Sequence, residues 1–298
     1  MDIKRAIVDL APGPVVRVFA APYVAGKGIE SGIRKADEIW KANGLSSTLD
    51  LLGEEVFRRE DVEATVATYF GMADQVRQRP YVSISCKPTQ LGIHESEAYC
   101  LENMRQIVGR AAAQGTRVTV DMEDHAFTDV TLRLYKALRD EFDNVGTVLQ
   151  SRLFRTKADI ETLHAKPCRV RICIGIYREP KAIAHQDKPA MKDKLFEYVQ
   201  LLLDKGHVPE IATHDEPLIE RCLEYLDKRG CPNDAYEFQM LLGVPRQQVQ
   251  RRIVERGLVM RLYVPFAEEW KYAVAYCKRR LAANPMMGAY VMKNLFGH

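Results

Sequence analysis

Tyr276, Arg279 and Arg280 lie close together near the end of this 298-residue chain. At helical spacing the ring stands three and four residues ahead of the two guanidinium groups, on one face. Two adjacent arginines can converge on a single anion, and the planar fork of each suits a carboxylate. Far upstream, Lys87 follows an apolar run in Ser85-Cys86-Lys87-Pro88. It offers that site a third cation or, alternatively, an amine for Schiff-base chemistry. Asp121 and Glu123, in Asp121-Met122-Glu123-Asp124, share a face of extended chain. An inward carboxylate at this point is costly unless paired, and the arginine pair is its expected partner.

Arg171, Cys173, Gly175 and Tyr177 alternate with Ile172, Ile174 and Ile176. The isoleucines suit a buried outer face, which turns Arg171 inward. A guanidinium there needs an acceptor such as a carboxylate, a phosphate or the edge of a flavin ring. Gly175 leaves space for something flat to lie close to the backbone. Ala212-Thr213-His214-Asp215 adds a hydroxyl and an imidazole. Asp121 and Glu123 alone do not make a metal site, and none is expected here. The chain has no Gly-x-Gly-x-x-Gly fingerprint after a strand, no Walker loop and no Gly-x-Ser-x-Gly elbow. Rossmann cofactor binding and serine nucleophilic catalysis are therefore not expected.

These residues need a frame. Eight short apolar runs break off at polar residues: Ser47–Leu52, Tyr81–Cys86, Val118–Met122, Val145–Leu149, Val170–Ile176, Val208–Ala212, Tyr236–Leu241 and Leu258–Val264. Patterns of helical period lie between them, as in Leu132–Phe142 and Met191–Lys205. Eight such units predict an α/β chain folded as a (β/α)8 barrel, whose chemistry sits at the C-terminal ends of its strands. The residues at those ends are Asp50 with Glu54, Lys87, Asp121, Gln150, Arg171 with Tyr177, Thr213 with His214, and Tyr263. Residues 1–45 form an N-terminal extension in which Ile33–Ala42 has helical spacing and stops at Asn43-Gly44. The catalytic barrel is assigned to 46–298. It includes a last helix over Glu268–Ala283, halted by Asn284-Pro285, and a methionine-rich apolar tail.

With 47% apolar and 28% charged residues, the chain is large enough for a full barrel core. Its formal charge of +3 is not gathered into a basic block, so nucleic acid is not an expected partner. The seven cysteines form no Cys-x-x-Cys pair, which fits reduced thiols in the cytoplasm. No window approaches a membrane span, and no apolar stretch of signal length follows the N-terminus.

Several segments, in this order, resemble the proline dehydrogenase family. They are Leu49-Asp50-Leu51-Leu52-Gly53-Glu54, Lys87-Pro88-Thr89-Gln90-Leu91-Gly92, Asp121-Met122-Glu123-Asp124 and Val145-Gly146-Thr147-Val148-Leu149-Gln150. Arg171…Gly175-Ile176-Tyr177-Arg178-Glu179-Pro180, Ala212-Thr213-His214-Asp215, Tyr236-Glu237-Phe238-Gln239…Leu241, Tyr263-Val264-Pro265 and Tyr276-x-x-Arg279-Arg280 continue the series. The resemblance implies a distorted (β/α)8 barrel with its final helix over the mouth, noncovalent FAD, and oxidation of L-proline to pyrroline-5-carboxylate. Hydride would pass to flavin N5 and electrons to a quinone, with transient contact at the inner membrane surface. It is to the bacterial single-function form, the chain being too short to add an aldehyde-oxidising enzyme.

Carried over by position, Arg279, Arg280 and Lys87 resemble the carboxylate clamp, and Asp121 the acid that holds one of those arginines. Tyr177, Leu241, Tyr263 and Tyr276 resemble the walls around the pyrrolidine ring. Arg171 resembles the arginine beside flavin N5; Gln150, Gly175, Thr213 and His214 resemble the remaining flavin surroundings. Glu54 is expected to pair with Arg280 as a gate. Tyr263 favours proline over its 4-hydroxylated relative. One departure is clear: the family pattern Arg-Leu-Val-Lys-Gly-Ala-Tyr has Ile174 here in place of lysine and Ile176 in place of alanine. Losing that cation is expected to weaken FAD retention or shift its potential. Another cyclic or secondary amino acid as substrate, and an amino-acid-binding barrel depleted of cofactor, remain open alternatives.

Overall fold

The computed structural model describes residues 22–283, with side chains through 280. Eight strands run in chain order around a closed parallel barrel: β1 (Ser46–Leu52), β2 (Val82–Cys86), β3 (Val118–Val120), β4 (Val145–Gln150), β5 (Arg169–Cys173), β6 (Val208–Ala212), β7 (Glu237–Leu241) and β8 (Met260–Ala267). β8 pairs back onto β1, with Thr48 opposite Tyr263 and Asp50 opposite Pro265. The helices are α1 (Ile29–Asn43), α2 (Arg59–Gln75), α3 (Glu97–Ala113), α4 (Thr128–Glu141), α5 (Thr156–Glu161), α6 (Lys188–Asp204), α7 (Glu216–Arg229), α8 (Gln247–Glu255) and α9 (Trp270–Ala283).

Period two along each strand separates two environments. Leu49, Leu51, Ile84, Val118, Val120, Val170, Ile172, Ile211, Phe238, Met240, Leu262 and Val264 join the main apolar core with residues of the outer helices, such as Tyr69, Ile107, Tyr135 and Leu202. The alternate positions carry Thr48, Ser83, Ser85, Asp121, Arg169, Arg171, Glu210, Glu237, Gln239 and Arg261, which bond to one another. The apolar runs legible in the sequence are thus largely outer faces, while the barrel interior is polar.

Local signals explain the helix ends. Ser96 caps α3 by accepting from the Tyr99 N–H at 3.1 Å, and Asp187 caps α6 by accepting from the Ala190 N–H at 3.0 Å. Gly44 ends α1 in the left-handed region at φ 66. α1 packs on β1 and β8, with Gly32 against Phe266 and Leu49. α9 instead joins a smaller apolar cluster at the strand ends, where Ala273, Tyr276 and Cys277 meet Tyr23, Val24, Leu52, Val244 and Ala267.

Strand boundaries shift from expectation at several ends, β8 running Met260–Ala267 rather than Leu258–Val264, and two of the shifts bear on the site. β5 stops at Cys173 rather than Ile176, because Gly175 turns the chain at φ 95. β3 stops at Val120, so Asp121 follows the strand instead of lying within it. The methionine-rich tail and the first 21 residues lie outside the described residues.

Candidate active site

The strand ends bring Asp50, Lys87, Asp121, Arg171 and Tyr263 into one buried cluster. The Lys87 ammonium donates to Asp50 Oδ1 at 2.5 Å and to the Tyr263 hydroxyl at 3.3 Å, and lies 3.2 Å from Asp121 Oδ2. Arg171 Nη1 donates to Asp121 Oδ1 at 2.6 Å, while its Nε donates to Gln239 Oε1 at 2.6 Å. Ser85 and Tyr263 each donate a further 2.6 Å bond to Asp121. Asp121 therefore ties β2, β5 and β8 together through its two oxygens. The partner expected from the sequence was the arginine pair of the last helix; the structure supplies Arg171 and Lys87 instead. Sequence distance concealed the pairing, which arises only when the barrel closes.

The electrostatics follow from burial and pairing. Burial alone raises the Asp121 carboxyl, but Lys87 and Arg171 outweigh it and hold Asp121 below its ordinary range. Asp50 has only Lys87 to oppose burial and the neighbouring Asp121 charge, and is pushed up to about 6. Burial would lower the Lys87 ammonium; Asp50, Tyr263 and Asp121 override it and keep it well above its usual value. Its three N–H donors match the three groups around it. A protonated, saturated amine is a poor Schiff-base nucleophile, which weighs against that alternative.

Above this cluster, α9 contributes Tyr276, Arg279 and Arg280. The Arg280 guanidinium lies 5.1 Å from the Tyr276 ring centre, a cation–π contact, as the helical spacing implied. Arg279 Nη2 donates to Glu54 Oε2 at 2.7 Å. The expected Glu54–Arg280 pair is thus corrected: Glu54 engages Arg279. Burial raises Glu54, yet Lys87 and Arg279 together hold its carboxyl below the ordinary value, so it feels cations from both sides of the mouth. Among the described residues no carboxylate pairs with Arg280. Lys87 and Arg171 are balanced by Asp50 and Asp121, and Arg279 by Glu54. Arg280 is left as surplus positive charge, suited to an incoming acid group.

The remaining residues form the surroundings. Tyr177 is half-buried after β5, and burial pushes its hydroxyl up against the fields of Lys87 and Arg279. The Leu241 N–H donates to His214 Nε2 at 2.8 Å, fixing the imidazole as an acceptor there. Burial lowers His214 to about 4, so the ring is neutral near pH 7 and positions Leu241. Thr213 Oγ1 accepts from the Asp215 N–H at 3.2 Å, leaving its own proton available. Gln150 Nε2 donates to the Glu123 carbonyl at 2.9 Å, while Gln150 Oε1 and Arg171 Nη2 are buried without partners among the described residues. The space beside Gly175 is taken by Gln150: a Cβ there would fall 2.1 Å from Gln150 Oε1.

Two supports were missed from sequence. Gln239 accepts from Arg171 and donates to Glu210 at 2.8 Å and Glu237 at 2.7 Å, linking the mouth to the floor. Glu123 accepts from the Thr89 hydroxyl at 2.5 Å and the Thr89 N–H at 3.1 Å, tying the turn after Lys87 to the segment after Asp121. The alternation of Asp121 and Glu123 was visible, but not which loop each would hold.

Fold and site together define a (β/α)8 barrel with paired charges at its mouth and further cations on its last helix. A family model described as proline dehydrogenase matches residues 33–176 and 183–289. The proline dehydrogenase of Deinococcus radiodurans is 32% identical over 306 residues, spanning 98% of this chain and 97% of that protein. Proline dehydrogenase 2 of Bacillus subtilis is 34% identical over 283 residues, spanning 94% and 91%. The chain belongs to the proline dehydrogenase family and is an oxidoreductase of the class acting on CH–NH groups. Proline utilization A of Bdellovibrio bacteriovorus, in a crystal structure inactivated by N-propargylglycine, shares the fold with TM-score 0.81 at 22% identity. That likeness covers 94% of this chain but only 34% of the other.

Proposed function

We propose that the chain oxidises L-proline to pyrroline-5-carboxylate, with FAD as hydride acceptor and a quinone as the final electron acceptor. The observation that carries the substrate class is the surplus guanidinium of Arg280 beside Tyr276, next to an Arg279 held by an exchangeable carboxylate. A substrate carboxylate can take the Arg280 fork and compete with Glu54 for Arg279, so the Glu54–Arg279 pair acts as the gate. Lys87 lies at the base of this clamp and adds positive field. Tyr177, Leu241, Tyr263 and Tyr276 form the apolar and aromatic walls, which orient the ring and exclude water.

The residues present fit a flavin. Arg171 Nη2 is a buried donor and Gln150 Oε1 a buried acceptor, neither satisfied among the described residues. Orphaned groups of both kinds match a ring edge that carries carbonyl acceptors and an imide donor. Arg171, Gln150, Thr213 and His214 would hold it, Gly175 making room for the Gln150 side chain, and when bound it supplies a two-electron acceptor at N5. Asp121 keeps Arg171 cationic and fixes its plane. No acid or nucleophile is required of the chain; the substrate needs only its uncharged amine and correct placement.

Among the described residues no helix is long and apolar enough to cross a membrane. Steady-state turnover with a soluble quinone tests the proposal. L-proline should give the highest kcat/KM in a panel of cyclic and N-methylated amino acids. A clear preference for another secondary amine would reject proline, and no turnover by flavin-loaded protein would reject the reaction.

A further inference from the structure

Arg152 stands beside the proposed flavin residues but takes no part in their network. Its backbone N–H donates to the Ile174 carbonyl at 3.3 Å, and its carbonyl accepts from the His185 N–H at 2.8 Å. The side-chain stem is held too, since a Cβ on Gly175 would fall 3.2 Å from Arg152 Cδ. The guanidinium is treated differently. Its Nε is buried with no partner among the described residues, and its Nη2 has only the Met191 thioether at 3.8 Å.

No described carboxylate forms an ion pair with Arg152. Glu179 acts on it through space, but that carboxylate already holds His125 Nδ1 at 2.6 Å. Burial lowers the Arg152 pKa and Glu179 and Cys173 only partly offset it, while arginine remains charged at any working pH. A fixed arginine whose Nε has no partner and whose Nη2 meets only a weak thioether acceptor presents a bidentate edge that matches two oxygens of a phosphate. The clamp for the substrate acid group is furnished separately on α9, and the charges that act on Arg152 are not those of the Asp50–Lys87 cluster.

Position supports the same ligand. Arg152 follows Gln150 by two residues, packs on Gly175, and reaches Met191 in the first turn of α6. Its neighbour across the β4–β5 seam is Ile174, which stands where the family pattern has lysine and packs against the apolar core. Resting on the flavin assignment above, we propose that Arg152 binds the diphosphate of FAD through its Nε–Nη2 edge. The cation absent from position 174 is thereby supplied one strand earlier.

The full-length protein, stripped of flavin and retitrated with FAD, provides the test. Arg152→Gln should weaken FAD binding about 10- to 100-fold, the range for losing a charged hydrogen bond. Arg152→Lys, which keeps the charge but not the fork, should lose less. The reduction potential of the bound flavin should be unchanged in both. Gln-variant affinity within twofold of wild type, equal losses in the Gln and Lys variants, or a shifted potential would each overturn the diphosphate contact. Failure of the wild-type chain to bind any flavin would instead reject the cofactor assignment on which it rests.

Discussion

The residue-level logic of the mouth is one of charge balance. Two cations and two carboxylates cancel at the base, and the Glu54–Arg279 pair at 2.7 Å cancels above them. Arg280 remains without a carboxylate partner among the described residues, which suits the proposed clamp. Each member of this set was legible as a polar residue at a strand end or on the last helix. Their pairing was not, because Asp121 and Arg171 are 50 positions apart in sequence and Glu54 and Arg279 are 225 apart. Arginine's fork is the feature that, under the proposed clamp, would let residue 279 serve both Glu54 and a substrate carboxylate. Arg279→Lys should therefore raise KM for proline by about tenfold or more while kcat changes less, as expected when binding contacts are lost. Steady-state kinetics indistinguishable from wild type would remove Arg279 from the clamp.

At the scale of elements, neighbouring strand ends are held together by loop-to-loop bonds. Glu123 grips Thr89 through two bonds and so fixes the turn that follows Lys87. Burial raises the Glu123 carboxyl from 4.5 to about 7, the Thr89 bonds only partly opposing it. In that interval the folded chain retains a proton that the unfolded chain has released. The stabilisation is complete below pH 4.5 and is lost as pH rises through 7, about 3 kcal/mol at most. Denaturant melts should show wild type losing stability relative to Glu123→Gln between those limits; parallel profiles would show that the carboxyl is not perturbed. The strand ends also mark where sequence reading failed. Alternating isoleucines carried the expected β5 on to Ile176, but Gly175 at φ 95 breaks the alternation and seats Gln150.

Across the whole molecule, a polar column fills the barrel where layers of branched apolar residues are common. From Asp121 it runs through Arg171 and Gln239 to Glu237, which Arg261 meets at 2.7 Å and Arg169 at 2.8 Å. Burial would raise Glu237, but Arg261, Arg117 and Arg169 hold it far below the ordinary range. The eight apolar runs identified the barrel because they face the helices, and that same pattern hid the charged interior. All seven cysteines are free, consistent with a core held by packing and this network. The column anchors the side chains that, as proposed, face substrate and flavin. The most direct measurement is the absorption spectrum of the purified protein before and after anaerobic addition of L-proline. A flavin band that bleaches on addition is expected. A colourless protein that gains no band with added FAD, or a flavin band that proline leaves unchanged, would contradict proline oxidation at this site.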